Sequence, residues 1–203
     1  MQASGCSIHG VEALQELPKR DGSLLFALLR TRVEDPEGRP LPAYAFIKGP
    51  ASLVVSVVVN GATGERKFLM LRQRRIAHGQ SSLEFPAGML DADVDDPVGV
   101  AMREMREETG LEVKRGELVA LADRPLYTSP GLDDEAIHFY TCTLVLPPDR
   151  FHALEGGTGG VAEEEEHISL GLWEYAEALP EITSMQVRIA FYLYFEYQSR
   201  GAP

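Results

Sequence analysis

The stretch REMREETGL, residues 103–111, carries two arginines and three glutamates in nine positions. It lies between Asp95-Asp96-Pro97 and Gly110, which are start and stop signals for a helix over 96–109. Asp95 or Asp96 is the expected N-cap, Pro97 stands in the first turn, and Gly110 caps the C-terminal end. Glu104 and Glu108 stand four residues apart, a like-charge spacing that weakens a helix. Something outside the helix has to offset that repulsion.

At about 100° per residue, Glu104, Glu107 and Glu108 share an arc of roughly 100°. Val98, Ala101, Met102, Met105 and Thr109 form a separate arc centred about 110° from Glu104, the expected core face. The acids therefore flank the core stripe, where a side chain can reach along a sheet into a cleft. Three converging oxygen donors suit a hard divalent cation, Mg²⁺ or Mn²⁺. The plainer reading of the charges alone is a solvated face, with Arg103 and Glu107 as an i, i+4 pair.

The neighbouring residues decide between these. Upstream lies LEFPAGML, residues 83–90. Gly88, Arg103, Glu104, Met105, Glu107, Glu108, Gly110 and Leu111 together resemble the Nudix box, the signature of the Nudix hydrolases. REMREETGL fits the second half of that box at every fixed position. The first half departs from it: Asp95 stands where the pattern has glutamate, and Gly88 lies one residue further upstream than the pattern requires. The role of Asp95 is open on that account. FPAGMLD, residues 85–91, is similar to the matching stretch of plant-type ADP-sugar diphosphatases, within the ADP-sugar and ADP-ribose subfamily.

The resemblance extends from FIKGPASLVV through LRQRR and TSPGLDDE to EEEEHISLGLW. It implies an α/β Nudix fold, an α/β/α sandwich around a mixed β-sheet, with a small N-terminal β-sheet element. Residues 1–50 would form that element, a dimerisation unit and substrate lid, and residues 51–203 the hydrolase domain. The implied activity is Mg²⁺-dependent hydrolysis of the pyrophosphate bond of a nucleoside diphosphate sugar. ADP-glucose or ADP-ribose would give AMP and a sugar phosphate. The alternatives are another nucleoside diphosphate derivative, such as a UDP- or GDP-sugar or a dinucleoside polyphosphate, or a non-catalytic nucleotide-sugar-binding module.

By the same resemblance Glu104, Glu107 and Glu108 hold the metal, with the backbone carbonyl of Ala87 as a further ligand. Glu84 completes the shell or is simply an edge-strand carboxylate. A general base is expected from the loop GGTGGVAEEEEHI, residues 156–168, with Glu164 first and Glu166 second. Glu163 and Glu165 fit a solvated acidic loop better. In LRQRRI, strand alternation puts Arg72 and Arg74 on one face and Arg75 on the other. Arginine forks suit diphosphate oxygens. Arg75 is the favoured substrate arginine, followed by Arg74. Gly131 offers close backbone approach to substrate and Glu135 a contact with it. Tyr44, Phe46 and Tyr127 are candidates for recognising the nucleobase, while His78 and His138 receive no role.

The bulk composition agrees with this class. The chain has 203 residues, 44% hydrophobic and 25% charged, as in ordinary globular domains. A net charge of -12 argues against a nucleic-acid binder, though not against a phosphorylated substrate escorted by metal. Cys6 and Cys142 form no C-x-x-C spacing, so neither a disulfide framework nor a zinc site is expected. No secretory signal or membrane-spanning run is read, and the expected location is the cytoplasm.

Along the chain, residues 1–22 read as loop or short strand. Strands are expected in 23–35 and 43–49, then 51–60, 67–76, 81–90 (broken by Pro86 and Gly88), 117–127, 135–146 and 167–173. The 51–60 strand, ASLVVSVVVN, should be buried on both faces. Residues 147–166 read mostly as a long loop, opened by a helical turn. The last helix, within 183–200, is apolar on most sides between Ile189 and Phe195, which predicts burial from two directions and is consistent with a homodimer.

Overall fold

The computed structural model describes all residues except 1–4, 91–94, 161–166 and 202–203. Two units emerge, one comprising Met1–Pro50, Asp91–Asp95 and Leu126–Ile137, the other Ala51–Leu90, Asp96–Pro125 and His138–Pro203.

In the first unit, β1 (Ser7–Pro18) and β2 (Leu24–Glu34) form a long antiparallel ribbon, and β3 (Tyr44–Ile47) pairs with the other edge of β2. The expectation of loop or short strand over residues 1–22 is corrected by the twelve residues of β1. The apolar side chains Ile8, Val11, Leu14 and Leu17 recur every third residue, which matches neither a strand nor a helix. Register shifts at Ile8/Gly10, Ala13/Gln15 and Leu17/Pro18 absorb the extra residues, so a bulged strand hides its period. Phe26 packs on Phe46 at 5.4 Å between ring centres. The two-residue strand β9 (Leu126–Tyr127) pairs with the start of β10 (Ala136–Leu146).

The second unit is built on a sheet containing β4 (Ala51–Asn60), β5 (Arg66–Arg75), β6 (Gln80–Glu84), β7 (Ala87–Met89), β8 (Val119–Ala120), β10, β11 (Thr158–Gly159) and β12 (Ile168–Trp173). The order is β11-β12-β5-β4-β10-β8, with β6 on β5 and β7 on β4. As expected from its β-branched run, β4 is buried along almost its whole length. One face carries α1 (Pro97–Thr109), whose Ala101 and Met105 join Val54, Val58, Leu69 and Leu71 in the core. The other face carries α4 (Met185–Ser199), where Phe191 and Tyr194 close on Phe68. These layers make the α/β/α sandwich around a mixed sheet.

Four local expectations change. Residues 117–127 are not one strand: a 3-10 turn at Arg115–Glu117 is followed by the separate short strands β8 and β9. Pro125 and the Asp-Arg pair before it interrupt the run. The helical turn expected at the start of 147–166 is α2 (Pro148–Ala153), seeded by prolines, but the segment also contains the short strand β11. In 81–90 the break falls at Phe85-Pro86, and Gly88 lies inside β7. On α4, Val187, Ala190, Phe191, Leu193 and Tyr194 are buried, but Met185 and Tyr192 are each 64% exposed, so this chain covers the helix from one side.

Candidate active site

Helix α1 is held at both ends. Asp96, not Asp95, is the N-cap: its carboxylate accepts the Gly99 N–H at 3.0 Å and receives the Arg115 fork at 3.0 and 2.5 Å. The Arg115 guanidinium and the Gly99 amide hold the Asp96 carboxyl below the usual carboxylate range. Gly110 takes the left-handed conformation, φ 68°, and donates to the Arg106 carbonyl at 2.9 Å.

The buried residues of α1 are Val100, Ala101, Met105, Glu108 and Thr109. Val98 and Met102, expected in the core, are only partly buried. On the same helical wheel the buried arc is turned toward the acids, centred about 50° from Glu104. Glu104 and Glu108 thus lie within the buried arc: the Glu104 side chain is 13% exposed, and Glu108 is 4% exposed. Glu107 sits on the edge at 31%.

Strand β7 makes room for them. A Cβ at Gly88 would overlap the Glu104 carboxylate, although Gly88 has no positive φ. Close approach, not backbone conformation, requires glycine there. One residue earlier, the Ala87 N–H donates to Glu108 Oε2 at 3.0 Å. The PAG turn thus seats two of the three helix carboxylates.

Arginines cover the remaining charge. Arg103 Nη2 donates to Glu104 Oε1 at 3.1 Å and to the Met89 carbonyl at 3.3 Å, while its Nε stands 3.7 Å from Glu107 Oε2. Arg103 therefore orients Glu104 more closely than Glu107, which also takes Arg106 Nη2 at 3.3 Å. Arg75 donates to both oxygens of Glu84 at 2.9 and 2.7 Å. Burial pushes the Glu84 carboxyl up, but hydrogen bonds and charge from Arg75, a Ser82 hydrogen bond and the charge of His78 together hold it below its usual range.

Sheet alternation puts Arg75 and Glu84 on the same face as Leu71, which is the α1 face. Arg72 and Arg74 lie on the opposite face. Arg72 meets Glu181 at 3.2 Å and the Trp173 ring, and Arg74 is exposed. Glu84, Ala87, Glu104, Glu107, Glu108 and Arg75 thus belong to one side of one unit.

Gly131 and Glu135 belong to the first unit. Glu135 is 7% exposed, with Lys48 Nζ at 2.5 Å from Oε1 and the Thr128 hydroxyl donating to Oε2 at 2.9 Å. Gly131 sits in a turn closed by Leu132 and Asp133 N–H groups on the Ser129 carbonyl. Tyr44 and Tyr127 are 51% and 62% exposed. Glu163, Glu164, Glu165 and Glu166 lie outside the described residues. The sequence reading missed both the Arg75–Glu84 fork and the Lys48–Glu135 pair. The first was within reach of strand-pairing logic; the second, 87 residues apart, leaves no linear trace.

Among the described residues, no three acidic, histidine or cysteine side chains are drawn in around a single point. The donor set is nonetheless chemically suited to a hard cation: it is all oxygen, and two of its carboxylates are seated by β7.

These features define a class. Residues 50–189 match the NUDIX domain model, and the chain belongs to that family. Among its relatives is Nudix hydrolase 14, chloroplastic, of Arabidopsis thaliana, 30% identical over 199 residues, 94% of this chain and 63% of that protein. The chain thus spans less than two thirds of that relative's length. The ADP-ribose pyrophosphatase of Mycobacterium tuberculosis is 29% identical over 170 residues, covering 84% of this chain and 73% of that one. The mouse ADP-sugar pyrophosphatase is 34% identical over 99 residues, 48% of this chain and 43% of that protein. A crystal structure of an ADP compounds hydrolase superimposes with a TM-score of 0.68 over the whole of both chains at 17% identity, which concerns the fold.

Proposed function

We propose that the protein is a divalent-metal-dependent hydrolase of the pyrophosphate bond in an ADP-sugar, ADP-ribose or ADP-glucose, releasing AMP and a sugar phosphate. The observation that carries this is the seating of Glu104 and Glu108 against β7, with Glu107 and the Arg75–Glu84 fork on the same face. The names of the Mycobacterium and mouse relatives support the substrate class.

In this reading Glu104, Glu107 and Glu108 would hold the metal, with the Ala87 carbonyl and Glu84. When bound, Mg²⁺ or Mn²⁺ supplies charge stabilisation on phosphoryl oxygens and a lowered pKa for an attacking water. The chain's own groups do the rest. Gly88 admits Glu104 to the sheet, Arg103 orients it, and Ala87 N–H fixes one oxygen of Glu108. Arg75, whose Nε and Nη2 serve Glu84, would turn the outer Nη1–Nη2 edge of its guanidinium to the diphosphate. Glu164, with Glu166 second, is the proposed general base, and Gly131 and Glu135 are proposed substrate contacts.

A homodimer through the N-terminal strands belongs to the same proposal. Ile8, Val11, Leu17 and Leu24 are 42–55% exposed on that ribbon, the surface a partner would cover. No described helix is long and apolar enough to cross a membrane.

The deciding experiment is a hydrolysis panel of ADP-ribose, ADP-glucose, UDP-glucose, GDP-mannose and NADH with Mg²⁺ or Mn²⁺. Preferential turnover of the ADP-sugars is expected. Preference for a UDP- or GDP-sugar transfers the reading to that base. Binding without turnover of any member makes the protein a nucleotide-sugar-binding module. Glu164→Gln should cost more rate than Glu163→Gln, and the reverse order relocates the base.

A further inference from the structure

Helix α1 ends two residues after Glu107, and its last carbonyls need donors from elsewhere. Gly110 N–H serves Arg106. The next amide, Leu111 N–H, turns to the Thr109 hydroxyl at 3.2 Å. The Glu107 carbonyl instead accepts the N–H of Gly160 at 3.2 Å, from the residue that follows β11. Beside it, Gly159 lies so close to the main chain of Glu108 that a Cβ there would fall inside the Glu108 carbonyl oxygen. Gly159 has no positive φ, so its own backbone conformation does not call for glycine. The demand comes from the helix.

Strand β11 is short but firmly placed. Gly159 pairs with Ile168 of β12, and Leu170 exchanges hydrogen bonds with Gly156 and Gly157 at 3.1 and 2.8 Å. Ile168 and Leu170 are themselves core residues, in the cluster that contains Met105. The sheet thus fixes β11, and β11 abuts the main chain of two of the helix glutamates.

We infer that the Gly159–Gly160 segment is a positioning element for the carboxylate end of α1. It sets, through the main-chain carbonyls of Glu107 and Glu108, the depth from which their side chains reach. A side chain at Gly159 would push the last turn of α1 off β11, and both carboxylates would move with their Cα atoms. Glu108 has little freedom to compensate, because one of its oxygens is committed to Ala87 N–H. The inference rests on the proposed role of these glutamates as metal ligands.

The test is Mn²⁺ binding by the full chain, followed by the electron paramagnetic resonance of the free ion, which needs no turnover. Gly159→Ala should weaken Mn²⁺ binding by about tenfold or more, the effect typical of disturbing a ligand's support. Its turnover deficit should shrink as Mn²⁺ is raised. Gly61→Ala is the control, because its Cβ would press at 3.2 Å on the Leu146 carbonyl, main chain of β10 rather than of α1. It should bind Mn²⁺ as the wild type does. A Gly159→Ala protein that is less stable but has wild-type Mn²⁺ affinity overturns the inference, as does an equal loss in Gly61→Ala. Where Gly159→Ala does not fold, amide exchange in the wild type decides. Exchange of the Gly160 amide should slow with Mg²⁺ at the same midpoint as the amides of α1, and an indifferent Gly160 overturns the inference. Wild-type protein that binds no Mn²⁺ removes the metal reading and this inference with it.

Discussion

Arg75 grips Glu84 through both carboxylate oxygens, at 2.9 and 2.7 Å, across the antiparallel β5–β6 pair. The Glu84 side chain is only 18% exposed, whereas Arg75 keeps 43% of its surface in water. The carboxylate therefore depends on the arginine more than the arginine depends on it. Arg75→Ala should cost about 2 kcal/mol, between the values for exposed and buried ion pairs. The pH dependence follows from the direction of the Glu84 shift. A carboxyl held below its unfolded pKa contributes fully above that value, and the contribution vanishes as pH falls through the folded one. Urea unfolding should show the widest gap between wild type and Arg75→Ala near neutrality. The gap should narrow below the ordinary value of 4.5. A gap that does not change with pH would mean that Arg75 contributes by packing.

Gly88→Ala tests the seat of Glu104. The added methyl overlaps the carboxylate, not the backbone, so the side chain can swing out and the fold can survive. The expected result is a folded protein whose turnover falls by about a hundredfold, the scale of a displaced reacting group. The Mn²⁺ concentration for half-maximal rate should rise. Unchanged kinetics would show that Glu104 is not used in this position.

Glu108→Gln keeps the shape of the side chain and an oxygen able to accept the Ala87 N–H, but removes the charge. Turnover should be abolished, while circular dichroism and thermal unfolding stay close to wild type. Wild-type rates would take Glu108 out of the metal site. Glu107→Gln, on a side chain 31% exposed, tests the neighbouring ligand without a burial penalty.

The helix and its caps were legible in the sequence because the determining contacts are local: Asp96 to Gly99 is three residues, and Gly110 to Arg106 four. That Glu104, Glu107 and Glu108 share one side of the helix was legible through their spacing, and their proposed metal role through the resemblance of 103–111 to the Nudix box. Which way the helix turns its acids was not, since Gly88 admits Glu104 from sixteen residues away and Ala87 holds Glu108 from twenty-one. Strand β1 escaped because its bulges break the period-two pattern. The contacts of Gly159 and Lys48 escaped for another reason: their partners are brought together only by sheet pairing and turns, and sequence distance says nothing of that.

Lys48 and Glu135 carry the last prediction. Glu135 is 7% exposed and divides its oxygens between Lys48 and Thr128, while Asp134 beside it accepts the N–H groups of Lys48 and Gly49 at 2.7 and 3.0 Å. The segment Thr128–Glu135 is thus fastened to β3 and the residues after it by one ion pair, the two N–H groups on Asp134, and the Phe46 N–H on the Leu132 carbonyl at 2.8 Å. Lys48→Met removes the cation but keeps much of its apolar stem, leaving a buried carboxylate with a single hydroxyl donor. The expected loss is up to about 3 kcal/mol, because an uncompensated buried charge costs more than its pair contributed. Lys48→Met with Glu135→Leu should recover most of that loss, since an apolar pair carries no desolvation penalty. Urea unfolding of the wild type, both single variants and the double variant closes the cycle. Simple additivity of the two losses would mean that the ion pair does not hold this segment, and that the hydrogen bonds to Asp134 and Leu132 do so without it.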